Sequence, residues 1–162
     1  MNVEIKNPLH LGAAFSSGIS LLFLIIALST DYWIEISTAN LGLWKACNQG
    51  VCSRLGVQNL SAAFHVPRTF LFLGMFAGAV SLGGLCTMNY QQRLSKVSMI
   101  RIIYIASFSA GLCVMIAMSV FTGMAENSLY GWSFALGWTS FPFYLVTGGL
   151  TYLLHMNTAA TA

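Results

Sequence analysis

The chain has 162 residues, of which 57% are hydrophobic and only 7% are charged. Because a soluble domain typically carries about 25% charged residues, this composition excludes an ordinary soluble domain and indicates a membrane protein. The net charge of +3 comes from seven basic and four acidic residues that form no dense basic patch, so nucleic-acid binding has no support.

Four uncharged stretches are each long enough to cross a bilayer as a helix, which needs roughly 20 apolar residues. They predict one domain over residues 1–162 with transmembrane helices at about residues 9–30, 67–88, 102–124 and 132–154. Residues 31–66 form the long segment between the first two helices. The uncharged stretches themselves cover residues 8–30, 69–92, 102–125 and 127–162, so no acidic or basic residue is expected inside the membrane. Ion and proton-coupled transporters usually need such groups, so transport is not expected.

The end of the first stretch and the start of the second helix contain residues that bear on where these helices end and begin. Ala27 and Ser29 precede Asp31 and resemble the cleavage site of a secretory signal peptide. The stretch is longer than the roughly 7–15 apolar residues of a signal peptide, so we expect an uncleaved helix. Pro67 is expected at the first position of the second helix, where its missing N–H is not needed.

Charge and cysteine positions orient the helices in the membrane. The loop at residues 89–101 holds three basic residues and no acid, and positive-inside counting places it in the cytoplasm with both chain termini. The outer segment then holds Cys47 and Cys52, which suit an oxidising space, and an N-glycosylation sequon at Asn59.

Small residues recur within the predicted helices, where they allow close approach between helices in lipid. The Gly74-xxx-Gly78 pattern in the second helix is the clearest case. Two interpretations stay open, namely packing within a four-helix bundle and oligomerisation through Gly74 and Gly78.

The outer segment has the pattern of a small antiparallel sheet. Alternating, β-favouring residues predict strands at residues 32–37, 41–47 and 51–55. Residues 48–51 form a turn signal, because Asn and Gly tolerate positive φ. Cys47 and Cys52 would then face each other across a hairpin, close enough for a disulfide, although a reduced pair stays open.

The other cysteines and the tryptophans have structural and functional interpretations. Cys113 is expected to be a small core residue, and Cys86 is open between packing and palmitoylation. Trp33 and Trp44 are expected to anchor the sheet at the membrane interface or between the helix tops, with direct ligand recognition as the alternative.

The sequence offers no starting constellation for catalysis. It has no Ser/His/Asp, Cys/His or paired-carboxylate arrangement, so we expect no enzyme and no cofactor. Asp31 and Glu35 are expected to be solvated charges at the interface. His65 has no second metal ligand at a recognisable spacing, so no metal site is expected.

The chain resembles the claudin superfamily in a W-GLW-C-C signature made by Trp33, Gly42, Leu43, Trp44, Cys47 and Cys52. This superfamily includes claudins, peripheral myelin and epithelial membrane proteins, and the lens-fibre membrane intrinsic protein. Arg68 stands where the family places an arginine at the head of the second helix. The spacing of the cysteines and the run at residues 132–138 are most similar to the lens-fibre membrane intrinsic protein branch.

The resemblance implies an all-α membrane protein, a left-handed bundle of four transmembrane helices capped by a small outer antiparallel β-sheet. In the family, the equivalents of Cys47 and Cys52 form a disulfide, the Gly-Leu-Trp run packs against the bundle, and Arg68 would brace the sheet. The chain departs from claudins in its shorter outer segments and in lacking the terminal Tyr-Val that docks claudins onto scaffold domains.

These features favour a non-enzymatic multi-pass protein of the plasma membrane that acts in cell–cell contact, junction formation or membrane organisation. Its expected partners are the lipid bilayer and other membrane proteins or itself, in cis or in trans, including as a homo-oligomer. The apolar residues expected to be exposed for contact are Ile34, Ile36, Leu55, Val57 and Leu60. Two alternatives stay open: an auxiliary or trafficking protein of vesicles or granules, and a paracellular barrier or channel that uses Glu35, Lys45 and Arg54.

Overall fold

Four helices and a small β-sheet make up the part of the chain that the computed structural model describes, residues 8–56, 61–88, 93–126 and 128–161. The helices are α1 Pro8–Ser29, α2 Ala62–Thr87, α3 Arg93–Met124 and α4 Trp132–Ala160. Between α1 and α2 lie the strands β1 Ile34–Ile36, β2 Ala39–Leu41, β3 Lys45–Asn48 and β4 Val51–Arg54.

Three of these helices are long and apolar enough to cross a membrane, at residues 8–29, 63–87 and 96–124. The fourth, α4, packs along both α1 and α3. Its 29 residues reach about 43 Å at the helical rise, which exceeds the hydrocarbon thickness of roughly 30 Å. The predicted fold class, a membrane bundle of four helices with a small antiparallel sheet, is confirmed.

The helices extend further than the predicted spans. α3 begins at Arg93 rather than near residue 102, and α4 ends at Ala160 rather than near residue 154. The 32 residues of α3 measure about 48 Å, so part of this helix projects beyond the hydrocarbon. The extension of α3 at residues 93–101 carries three basic residues, which is why the uncharged stretch misses it, whereas the extension of α4 carries no Asp, Glu, Lys or Arg.

α2 begins at Ala62, so the prediction that Pro67 occupies the first helical position is wrong. A proline at the sixth position removes one backbone N–H, whose acceptor would have been the Ala63 carbonyl. The first turn forms ahead of it, with the Phe64 N–H donating to the Ser61 carbonyl at 2.9 Å. The loss is confined to one bond near the helix start, so the helix begins before the proline.

The glycines of the Gly74-xxx-Gly78 pattern face the interior of the bundle. A Cβ added at Gly74 would lie 3.2 Å from the Val114 Cγ2 of α3. One added at Gly78 would lie 2.8 Å from the Cε1 of Tyr144, a fully buried residue of α4. Both contacts favour packing within the bundle over oligomerisation through this pattern.

We expect Gly78→Ala to lower the free energy of unfolding by about 1–3 kcal/mol, because the buried Tyr144 ring must move to admit a methyl group. Thermal unfolding in lipid nanodiscs measures the change. Gly83→Ala on the same helix is the matched control, since a Cβ there meets no atom within 4 Å. Loss of self-association by Gly78→Ala at unchanged stability would instead assign the pattern to oligomerisation.

Candidate functional site

The sheet is antiparallel throughout, with the strand order β1-β2-β3-β4. The second strand predicted at residues 41–47 is divided in the structure. β2 ends at Leu41, β3 begins at Lys45, and the Gly42-Leu43-Trp44 run lies between them. This run leaves the sheet to contact the helix bundle, as described below.

Residues 129–131, between α3 and α4, join the sheet on the free side of β1. Ile34 and Tyr130 form an antiparallel bridge. The Glu35 N–H donates to the Leu129 carbonyl at 2.9 Å, and the Gly131 N–H donates to the Trp33 carbonyl at 3.0 Å. The segment between α1 and α2 and the segment between α3 and α4 therefore form one continuous sheet surface.

The two faces of the sheet differ in what they contact. One face carries a row in register across all four strands, made by Glu35, Asn40, Cys47 and Cys52. The opposite face carries Ile34, which is only 7% exposed and packs in the bundle core. The prediction that Ile34 is exposed is therefore wrong, because side chains alternate along a strand and β1 turns this one inward.

The other apolar contact candidates divide three ways. Ile36 is exposed and Leu55 is half-buried. Val57 and Leu60 lie outside the described residues, as does the glycosylation candidate Asn59. The described part of the contact surface is therefore formed by β1 to β4 and residues 128–131.

A two-residue turn joins β3 to β4. Gln49 and Gly50 both have positive φ, of 49° and 82°, which is the backbone geometry of a tight hairpin turn. It brings the Cα atoms of Cys47 and Cys52 to 4.0 Å, and a disulfide joins their sulfur atoms. The bridge ties β3 to β4 on the face that points away from the bundle.

Trp33 lies in the core where the sheet meets the helices. Its side chain is fully buried, and its indole N–H donates to the Ala27 carbonyl of α1 at 2.8 Å. Its ring centroid lies 4.8 Å from that of Phe121 and 6.2 Å from that of Phe134. Of the two places expected for an anchoring tryptophan, Trp33 therefore occupies the one between the helix tops.

The Gly42-Leu43-Trp44 run is held on α1 and α2. The Trp44 indole N–H donates to the Leu28 carbonyl at 2.9 Å. Arg68 of α2 donates to the Leu43 carbonyl from Nε at 2.9 Å and also from Nη2. The Arg68 guanidinium carbon lies 4.8 Å from the centre of the Trp44 ring, a cation–π arrangement. Arg68 thus joins α2 to the backbone of the segment that connects β2 to β3.

Arg68 also corrects the expectation that no charged residue lies within a span. It belongs to the apolar helix segment at residues 63–87 and is only 6% exposed. The uncharged stretch begins at Thr69, whereas α2 begins seven residues earlier. A buried cation in an apolar helix usually marks a functional position, and the search for uncharged stretches excludes such a residue.

The remaining candidates are dispersed. Cys86 is exposed near the end of α2 and Cys113 is half-buried on α3, and palmitoylation of Cys86 stays a prediction. Among the described residues, no group of three His, Cys, Asp or Glu side chains is placed to hold a metal ion.

A groove of about 660 Å³ opens on the face of the sheet that points away from the bundle. Its lining includes the in-register row with Glu35 and the disulfide, together with Tyr32, Leu129 and Tyr130. Leu129 is 71% exposed. The groove combines apolar, aromatic and acidic groups, so it suits a protein surface better than a small polar molecule. The sequence pattern does not predict this groove, because residues 129–131 are far along the chain from the strands that they join.

Comparison with known proteins gives a consistent picture. The family model described as "PMP-22/EMP/MP20/Claudin family" matches residues 9–151. The chain is 26% identical over 160 residues to mouse claudin domain-containing protein 2, covering 97% of this chain and 93% of the relative. It is 28% identical to mouse protein NKG7, covering 90% and 91% of the two chains. It is 28% identical to human lens fiber membrane intrinsic protein, covering 80% and 81%.

Proposed function

Because the chain belongs to the PMP-22/EMP/MP20/Claudin family, we propose that it acts in the plasma membrane in cell–cell contact, junction formation or membrane organisation, without catalysis. It is a multi-pass membrane protein, and members of this family are generally structural membrane proteins rather than enzymes. In the proposed orientation both chain termini are cytoplasmic and the sheet faces the extracellular side.

The observation that carries the proposal is the groove on the outward face of the sheet. The disulfide joins β3 to β4, and the hydrogen bonds of Trp33 and Arg68 hold the outer segment on the bundle, so the surface is preformed. A preformed surface loses little conformational freedom on binding. Its exposed Leu129 and its tyrosines resemble the apolar and aromatic groups that are favoured in protein interfaces. The proposed partner is another membrane protein or a second copy of this chain.

Cell aggregation tests the proposal. Expression in non-adherent cells is expected to produce cell clusters with the protein enriched at the contacts. Leu129→Asp, inside the groove, is expected to abolish clustering because it places an unpaired charge where the partner docks. Val51→Asp is the matched control, since Val51 is 75% exposed on the same sheet and does not line the groove. Absence of both clustering and contact enrichment for the wild type would contradict the proposal.

The same experiment separates the alternatives. Retention of the tagged protein in intracellular vesicles would favour an auxiliary or trafficking role. The three relatives are different proteins of one family, so similarity to them does not select between these roles. A paracellular channel would depend on free outward charges. It has less support, because the Lys45 ammonium lies 3.9 Å from the Asp31 carboxylate and is thus already paired.

A further inference from the structure

Arg68 is a buried cation whose described partners are all neutral. Its Nε and Nη2 donate to one acceptor, the Leu43 carbonyl, and the Trp44 ring lies against the guanidinium. An arginine side chain has five N–H donors, so donors remain beyond these two bonds. The described hydrogen bonds of Arg68 use only Nε and Nη2, and the residue keeps 6% of its surface exposed.

No acidic residue in the described part of the chain pairs with this cation. The four acids of the chain are Glu4, Asp31, Glu35 and Glu126. Among the described residues, the one ion pair joins Asp31 to Lys45, while Glu35 and Glu126 are exposed and lie beyond ion-pair distance of Arg68.

The remaining acid, Glu4, is too distant along the chain. It precedes α1, whereas Trp44, which lies against Arg68, is bonded to Leu28 at the far end of α1. The 22 residues of α1 extend about 33 Å, while the four residues from Glu4 to Pro8 can span at most about 14 Å. Arg68 therefore has no acidic partner among the residues that the structure describes.

The surface beside Arg68 is apolar and belongs to the apolar segment of α2. Phe72 follows one turn later, and its ring centroid lies 5.8 Å from that of Trp44. Trp44 and Phe72 are both exposed, and the exposed Leu73 and Phe76 continue this surface along the helix. A molecule that contacts Arg68 here would contact aromatic and aliphatic side chains as well.

We propose that Arg68 and Trp44 bind the phosphate of a phospholipid headgroup in the leaflet next to the sheet, with the acyl chains against Phe72 and Phe76. The free guanidinium N–H groups fit phosphate oxygens, which arginine binds through paired hydrogen bonds. The apolar surface below selects a lipid over free phosphate. The proposal rests on membrane embedding, independently of any role in cell contact.

The test uses the purified full-length protein in a non-ionic detergent. Native mass spectrometry and thermal unfolding are measured with phosphatidylcholine, with a phosphate-free galactosyl diacylglycerol of the same acyl chains, and with inorganic phosphate. We expect the wild type to retain and be stabilised by phosphatidylcholine, with affinity for the phosphate-free lipid about tenfold weaker, because a hydrogen bond to a charged group is lost. Inorganic phosphate is expected to give no stabilisation.

Two glutamine variants locate the site. Arg68→Gln is expected to lose the preference for phosphatidylcholine, whereas Arg54→Gln, an exposed arginine of β4, should keep it. Equal binding of the two lipids by the wild type overturns the proposal, and this comparison holds even if Arg68→Gln does not fold. Displacement of the lipid by inorganic phosphate overturns the assignment to a lipid. An unchanged lipid preference in folded Arg68→Gln removes Arg68 from the site.

Discussion

Replacing Trp33 by alanine should lower the free energy of unfolding by about 3–5 kcal/mol, as expected when a large buried aromatic side chain is removed. Trp33 is fully buried and contacts Phe121 and Phe134 from the two helices that close the bundle around it. Its removal leaves a cavity and also leaves the Ala27 carbonyl without the indole donor. The sheet and the bundle meet at this residue, so both should loosen together.

Thermal unfolding in nanodiscs and the fraction of protein that reaches the cell surface would measure this loss. Trp132→Ala is the matched control, because Trp132 is exposed and its ring stacks on Tyr32 with centroids 5.8 Å apart. An exposed aromatic pair contributes about 0.5–1.5 kcal/mol, so the control should be mild. Equal losses for the two variants would mean that Trp33 acts as a surface anchor rather than as a core residue.

The elements that the sequence predicts well are those encoded by neighbouring residues. The four helices follow from the length of uncharged stretches, and the turn lies within the predicted residues 48–51, with positive φ at Gly50 as expected but at Gln49 rather than Asn48. Cys47 and Cys52 face each other because that turn sets the register of β3 against β4. Each of these features depends on contacts within one segment of the chain.

The features that the sequence does not predict depend on residues far apart in the chain. Ile34 and Tyr130 are almost a hundred positions apart in the chain, so the local pattern of neither segment predicts the bridge between them. Burial of Ile34 depends on which face of β1 meets the bundle, which a three-residue strand does not reveal. The neutral acceptor of Arg68 is a backbone carbonyl, and no side-chain motif encodes such a partner.

Gly42 is a signature residue whose small size is required by a close contact with Asp31. Its backbone φ is not positive, so conformational freedom is not the reason for a glycine here. The chain passes directly against Asp31, at the end of α1, as it leaves β2. The Trp33 N–H donates to the Leu41 carbonyl at 3.0 Å, which holds the two passing segments together. A side chain at position 42 would separate them.

Gly42→Ala should therefore lower the free energy of unfolding by about 3 kcal/mol, at the upper end of the range for overpacking. The added Cβ would contact the Asp31 Cα and lie 2.9 Å from the Asp31 Cβ, and no rotation of a side chain moves a backbone atom away. Gly56→Ala is the matched control in the same segment, since a Cβ there meets no atom within 4 Å. Thermal unfolding of both variants in nanodiscs gives the comparison. If Gly42→Ala proves as stable as Gly56→Ala, the close passage of Gly42 and Asp31 does not exist in the folded protein. If it proves less stable, the loss should also weaken the contact of Arg68 with Leu43, because residue 43 follows the displaced backbone directly.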